Sequence, residues 1–281
     1  MADAPLRITE FTDPGCPWAW NAEPVRARIG WLYGDCVEWR VRLVGLSGEP
    51  KTGDDWDGAG FARRLRKMTR EHGMPIDSRP REHGAATLPA CRAIVAAKVH
   101  RPEATRRILR QLRVRNWRGE LLDAPETIEG AAADAGISAA ELREWLADPV
   151  VEEKLRSDMA AAREPLPAAR ALDHKLANWS GGLRYTCPSY EIARVEDGVK
   201  IAIPGFQPMA AYDVVLANLA PVLERREAAA SVTDVLEWSG IPMATVEVAA
   251  VMETEPDVAR EELARVARFD PVGADGFWTL G

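Results

Sequence analysis

Cys16 is the residue of this sequence best placed to do chemistry. It follows Thr12-Asp13-Pro14-Gly15, a run that forces a turn, and opens the stretch Cys16-Pro17-Trp18-Ala19-Trp20, which reads as the start of a helix. A cysteine there meets unpaired backbone N–H groups that favour thiolate over thiol. Pro17 suits a first helical turn, where its missing N–H is not needed. Position alone leaves two readings open, a reactive thiolate and a small buried hydrophobe. Around it, Trp18 and Trp20 could wall a groove for an extended peptide or a thiol compound, although Trp20 could equally pack in the core. Asp13 and Glu23 are carboxylates close enough in sequence to assist proton transfer, and each also fits a turn or cap role. Cys36 and Cys91 read as structural. The histidines, at 72, 83, 100 and 174, fall in no ligand spacing and no C-x-x-C pair exists, so no metal is expected; no phosphate-binding glycine loop is present either.

The elements that must hold Cys16 begin with Leu6–Phe11, which alternates apolar and polar residues as a strand does. A helix through Val25, Ile29 and Leu32 stops at Gly34, and a second strand spans Cys36 to Val44. From about Phe61 to Leu176 alanine, leucine, arginine and glutamate dominate, which predicts four to six helices; Ser138 with Glu141 forms a capping box at the start of one. Strands at 189–195 and 199–203 flank the turn Glu196-Asp197-Gly198 as a hairpin, and a helix is expected from Met209 to Glu227. The last residues read as three short helices, at 232–238, 245–252 and 257–269, and a hairpin over 271–280, a winged-helix outline. Neither β fragment can bury its faces alone, so the helical block is an insertion into one α/β domain.

The segment Phe11-Thr12-Asp13-Pro14-Gly15-Cys16-Pro17-Trp18-Ala19-Trp20-Asn21-Ala22-Glu23-Pro24, together with this element order, resembles the DsbA-like thioredoxin superfamily, nearest to its FrnE-like and YjbH/SpxH-like branches. The resemblance covers about residues 5 to 230. It implies an α/β thioredoxin fold with a large helical insertion: residues 1–57 and 177–230 would form the thioredoxin-like domain, 58–176 the inserted helical domain, and 231–281 a small winged-helix-like extension. It also implies that Cys16 is the nucleophile, that Pro188 is the cis-proline that orients substrate, and that Thr186 and Cys187 lie beside the nucleophile. The sequence departs from the family's C-x-x-C pattern, because the second cysteine is replaced by Ala19. A resolving thiol is then absent from the motif, and Cys187 becomes the candidate to supply it, facing Cys16 closely enough to form a disulfide on oxidation.

The expected function is thiol-dependent redox chemistry on mixed disulfides of a protein or of a low-molecular-weight thiol. The latter would act as co-substrate, with no cofactor bound. Rival readings are a non-catalytic adaptor of the YjbH/SpxH type, which loss of the second cysteine favours, and a kappa-class-like glutathione transferase or isomerase. Composition agrees with a soluble cytoplasmic protein: 281 residues, 47% hydrophobic and 28% charged, no apolar run of membrane-spanning length, no secretory leader over Met1–Thr9, and four cysteines, too few for a disulfide scaffold. The net charge of −7 is concentrated in residues 231–281, where three arginines face ten acidic residues. That balance argues against nucleic acid, whose phosphates demand Lys and Arg, and leaves the helical insertion or the acidic tail as a surface for a protein partner.

Overall fold

A parallel strand pair cannot be joined by a tight turn, so the two N-terminal strands require a crossover. In the computed structural model, which describes residues 4–281, β1 (Leu6–Thr12) and β2 (Val37–Leu43) pair in parallel from Leu6↔Val37 to Thr12↔Leu43. The crossover is α1 (Pro17–Asn21) and α2 (Glu23–Tyr33). The helix expected to be continuous is broken at Ala22 because Pro24 has no N–H to give to Trp20; the break leaves the Ala22 N–H bonded to the Trp20 carbonyl. The N-terminal boundary expected at residue 1, and Met1 to Asp3 of the stretch expected to hold no leader, lie outside the described residues.

Seven helices follow: α3 (Gly58–His72), α4 (Leu88–His100), α5 (Thr105–Trp117), α6 (Pro125–Asp134), α7 (Ala139–Leu146), α8 (Pro149–Ala162) and the single turn α9 (Pro167–Arg170). This is one more than the upper end of the range expected, α9 being too short to show periodicity. Proline opens α6, α8 and α9 at a position where its missing N–H costs nothing, and the Ser138–Glu141 capping box opens α7 as expected. Ile94, Ile108, Leu112, Leu142 and Leu155 form the core of this block together with Val41 and Leu43 of β2, so the insertion packs on the edge strand rather than standing apart. On that edge, buried Asp158 of α8 accepts from Lys98 Nζ at 2.7 Å and from the Leu43 amide at 3.3 Å.

A hairpin that sequence reading did not anticipate, β3 (Leu176–Trp179) with β4 (Gly182–Tyr185), precedes the expected one, β5 (Ser189–Arg194) with β6 (Lys200–Ile203). Its strands are four residues each and largely exposed, so they show almost no alternation. β5 joins β1 antiparallel, with Phe11 opposite Ser189, which completes a mixed sheet in the order β2-β1-β5-β6. That register sets the segment just before Ser189 against the turn just after Phe11. Helix α10 (Met209–Leu219) ends before Pro221, eight residues short of Glu227, and the chain then folds back so that the Arg226 amide reaches the Leu32 carbonyl at 2.8 Å.

The C-terminal residues form α11 (Val232–Ser239), β7 (Met243–Ala244), α12 (Thr245–Met252), α13 (Pro256–Val266), β8 (Ala267–Val272) and β9 (Asp275–Leu280). Three helices and a terminal hairpin are present, the third helix ending at Val266 rather than Phe269 because the hairpin begins at Ala267, and β7 adds a third strand in the order β7-β9-β8. This segment shares its core with the rest. Val232, Val248, Val251 and Leu263 pack with Ile29 and Leu32 of α2 and with Ile8 and Ile192 of the sheet. Phe277 and Ala244 pack with Trp20, Leu65 and Trp117. Burial of several such side chains, each worth roughly 1.5–3 kcal/mol, fixes the segment behind the active-site helix.

Candidate active site

Cys16 is the N-cap of α1, with extended backbone (φ −82°, ψ 116°), Pro17 following in the first turn. Its amide donates to the Asp13 carbonyl at 3.2 Å and its own carbonyl accepts from Trp20 N at 3.1 Å. Helix α1 has only five residues, so the stabilisation comes from nearby N–H groups rather than from a long helix dipole. The turn before it is braced by Asp13. One carboxylate oxygen accepts from the Gly15 amide at 2.8 Å; the other accepts from the Leu46 amide and the Thr87 hydroxyl, both at 2.8 Å, and from the Cys91 thiol at 3.6 Å. Gly15 is required here, since a Cβ would lie 2.7 Å from the Thr87 methyl. Four donors make Asp13 a structural brace tying the turn to the insertion. Burial nevertheless raises its pKa against the pull of those hydrogen bonds.

The loop before β5 meets this turn as the strand register demands. The Cys187–Pro188 peptide is cis. Thr186 Oγ1 donates to the Lys175 carbonyl at 3.0 Å and Ser189 Oγ accepts from the Gly205 amide at 3.0 Å, which hold the loop from both sides. Cys16 and Cys187 share one small apolar cluster with Phe11, Ala19 and Tyr185. Both thiols are free and buried, and the Cys16 thiol donates to the Cys187 carbonyl at 3.1 Å. Deprotonation of Cys16 gives up that donation, so its thiolate relies on the Cys187 thiol as donor and on the Ala19 and Trp18 amides. The Cys187 hydrogen bond is the largest influence and, with the two amides, it outweighs burial and the Asp13 charge, leaving the Cys16 pKa below its ordinary value. Cys187 moves the other way. Burial first, then its bond to Cys16 and the nearby charges of Cys16 and Asp13, push its thiol well up. Cys91, buried and bonded to Asp13, is pushed up as well. One thiol of the pair is therefore poised to ionise and its neighbour to stay protonated.

The remaining sequence candidates divide. Pro17 is half-buried beside Cys16. Trp18 is 42% exposed and forms an aromatic surface with His72 and Phe206, ring centroids 5.4 and 5.3 Å away. Trp20 does not line the groove: it is fully buried, donates from Nε1 to the Pro75 carbonyl at 2.9 Å and faces Phe277. The reason is the helical rotation between positions two apart, which turns Trp20 inward when Trp18 turns out. Glu23 is likewise no proton carrier. It is buried among Arg106, Arg110 and Arg113, whose charges overcome its burial and hold its carboxyl far below the ordinary range. Among the described residues no cluster of side chains could hold a metal ion.

That arginine cluster was missed from the sequence. Arg113 also pairs with Glu10 at 2.9 Å, Arg110 forms two 2.7 Å bonds to Glu247 of α12, and Arg26 reaches Glu10 at 3.3 Å. The available signal was Glu10, which falls on the apolar face of β1 with Leu6 and Ile8 and so had to be paired.

A profile of the DSBA-like thioredoxin domain matches residues 7–165. The chain belongs to the DSBA-like thioredoxin family. Solved structures similar to it include a putative protein disulfide isomerase from Nitrosomonas europaea (17% identity, 77% of this chain and 96% of that one, TM-score 0.58). A probable DsbA oxidoreductase from Streptomyces coelicolor matches at 19% identity over 80% and 94%, with TM-score 0.55. The cytosolic disulfide reductase DsbM from Pseudomonas aeruginosa matches at 17% over 75% and 99%, with TM-score 0.53. No curated protein matches the sequence. At these identities the likeness shows the fold, that of DsbA-like thioredoxin proteins. No helix among the described residues is long and apolar enough to cross a membrane.

Proposed function

We propose that this DsbA-like protein is a thiol-dependent oxidoreductase that acts on mixed disulfides through Cys16, with Cys187 beside it and a low-molecular-weight thiol as co-substrate. The observation that carries the reading is the placement of two free thiols in one buried cluster, with Cys16 capping a helix start and its thiol 3.1 Å from the Cys187 carbonyl. The Cys16 thiolate attacks one sulfur of a substrate R–S–S–R′, forming Cys16–S–S–R and releasing R′S⁻. A small thiolate then attacks the Cys16 sulfur of Cys16–S–S–R, releasing RS⁻ and leaving Cys16 linked to the small thiol. A second small thiolate attacks the small-thiol sulfur of that adduct, restores the Cys16 thiolate and leaves as the small-molecule disulfide, so two small thiols supply the two electrons. In a second route Cys187 gives up its proton and attacks the Cys16 sulfur of Cys16–S–S–R, the departing RS⁻ taking up a proton as RSH, and two small thiols then reduce the intramolecular disulfide and leave as the small-molecule disulfide. Loss of the Cys16 charge on adduct formation removes two of the influences that keep Cys187 protonated, which favours this route only after the first step. Pro188 and Thr186 border the entering chain and Trp18 offers it an exposed ring. DsbM from Pseudomonas aeruginosa has also been solved with glutathione, which supports a glutathione-like co-substrate and a cytoplasmic setting here.

The test is thiol-driven cleavage of a fluorescent mixed disulfide. Wild type should accelerate it, Cys16→Ser should fall to the uncatalysed rate, and Cys187→Ala should keep a Cys16-dependent rate that is reduced at neutral pH and recovers as pH rises. A wild-type rate equal to that of Cys16→Ser would leave the adaptor reading in its place, with Trp18, His72 and Phe206 as contact surface.

A further inference from the structure

The hairpin β3–β4 and the end of α8 border the two thiols. Ala162, Leu176 and Tyr185 are buried in the cluster that holds Cys16 and Cys187, with Leu183 packed against it. Arg163 follows Ala162 in the chain and Arg184 precedes Tyr185. Trp179 and Arg184 share one face of the hairpin, since Ala177 pairs with Arg184 and Trp179 with Gly182. The Arg163 guanidinium lies over the Trp179 ring, 5.0 Å from its centroid. The two arginines are neighbours: burial first, and then the Arg184 charge, lower the Arg163 pKa. Arg184 is also near the thiols. Its charge pulls the Cys187 thiol down, against the burial and the Cys16 bond that push it up.

Neither arginine pairs with a carboxylate among the described residues. Arg163 gives Nη1 to the Met159 carbonyl at 2.6 Å and Arg184 gives Nη1 to the Tyr185 carbonyl at 2.8 Å. In each, Nε and Nη2 make no hydrogen bond to the protein and stay open to solvent. That edge of a guanidinium grips a carboxylate through two parallel N–H donors. Residues 163–184 hold four basic side chains, Arg163, Arg170, Lys175 and Arg184, against two acidic ones, Glu164 and Asp173, in a chain of net charge −7. Asp173 lies 3.9 Å from His174, and neither it nor Glu164 pairs with an arginine. Glu191 is taken by the Tyr185 hydroxyl at 3.0 Å and by Lys200 at 3.8 Å. The groove against α5 makes the contrast. Arg110, Arg115 and Arg118 line it, and each already has its carboxylate in Glu247, Glu120 and Asp270.

We propose that Arg163 and Arg184 form an anion subsite beside the thiols that holds the carboxylate of a small acidic thiol, so that Cys16 exchanges with anionic disulfides in preference to neutral or cationic ones. The subsite rests on the reading of Cys16 as nucleophile. A peptidyl thiol carries its carboxylate several bonds from its sulfur, so the sulfur can meet Cys16 while the carboxylate lies on the arginines. The step concerned is the first exchange, in which the Cys16 thiolate attacks one sulfur of R–S–S–R, forms Cys16–S–S–R and releases RS⁻. Mass spectrometry of the full chain follows loss of the free Cys16 thiol with glutathione disulfide (anionic), hydroxyethyl disulfide (neutral) and cystamine (cationic). Each rate is divided by that of free cysteine with the same disulfide. The corrected rate with glutathione disulfide should exceed that with hydroxyethyl disulfide by about tenfold, and cystamine should be slowest. Arg163→Gln and Arg184→Gln should each cut this ratio by about threefold to tenfold, and Arg184→Glu should shift it towards cystamine. The ratio is the readout because a changed Cys16 pKa alters all the rates together, whereas lost recognition alters one. Should a variant not fold, wild type carries the test, since salt at about 1 M should collapse the preference by screening. Equal corrected rates, an unchanged ratio in the folded variants or a preference that survives high salt overturns the subsite and leaves the redox reading standing. No reaction of Cys16 with any of the disulfides overturns that reading, and the subsite with it.

Discussion

Two regions packed back to back in this molecule solve the burial of ionisable groups in opposite ways. Around Cys16 there are three buried thiols, Cys16, Cys187 and Cys91, one buried carboxylate and no paired cation, and the shifts come from hydrogen bonds and desolvation. Next to it, where Arg113 also donates to Thr12, Glu10, Glu23 and Glu247 are buried with Arg110 and Arg113, and every charge has a partner. Both regions are nearly inaccessible. In the first, small differences decide which group carries the proton, so Cys16 can ionise while Cys187 does not. In the second, the charges are locked, and Glu23, a candidate proton carrier by position, has none to exchange at any ordinary pH. Burial alone therefore does not make a group reactive; incomplete charge pairing does. The locked cluster also joins the three parts of the chain, since Glu23 lies on α2, Arg110 and Arg113 on α5 and Glu247 on α12.

The comparison breaks most severely at Arg113, which is 1% exposed and shared by Glu10 and Glu23. Arg113→Met leaves two buried carboxylates short of a partner and should cost about 3–5 kcal/mol in urea unfolding. A loss under about 1 kcal/mol would show that the cluster is not the lock described. A smaller effect is expected from acid. Burial would raise the pKa of Glu10 and Glu23, but the arginines overcome it and both are lowered. The folded state thus keeps them ionised below the unfolded value of roughly 4.3, and stability should fall as pH drops below that value and keep falling until the cluster itself protonates. Asp13, with its raised pKa, acts in the opposite sense and softens the loss. Unfolding midpoints between pH 7 and 3 check the sign; constant stability would contradict it. The smallest energetic effect, and the sharpest on chemistry, belongs to Cys187→Ala. It removes the bond that contributes most to the lowered pKa of Cys16, so the pH midpoint of Cys16 alkylation should move upward from its wild-type value with little change in stability. An unchanged midpoint would transfer the stabilisation to the Ala19 and Trp18 amides.

Much of this was legible in the sequence because it is local. The alternation of Leu6–Phe11, the turn at Asp13–Gly15, the helix start at Cys16-Pro17 and the capping box at Ser138 depend on neighbours a few residues away, and the structure has each of them. The resemblance of the Cys16 segment added the DsbA-like thioredoxin fold. What sequence reading lacked were directions and partners set across the fold. Trp18 and Trp20 look alike in sequence, and only packing against Pro75 and Phe277 sends the second inward. The β3–β4 hairpin is too short to show a period. Glu10 could be seen on an apolar face, but its partner Arg113 lies 103 residues away on another element, and pairing at that distance follows from topology alone. The proton balance at Cys16 was decided the same way. The sequence by itself determined that a cysteine caps a helix; the tertiary structure decided that Cys187, 171 residues on, lies against it, because strand register places the loop before β5 over the turn after β1.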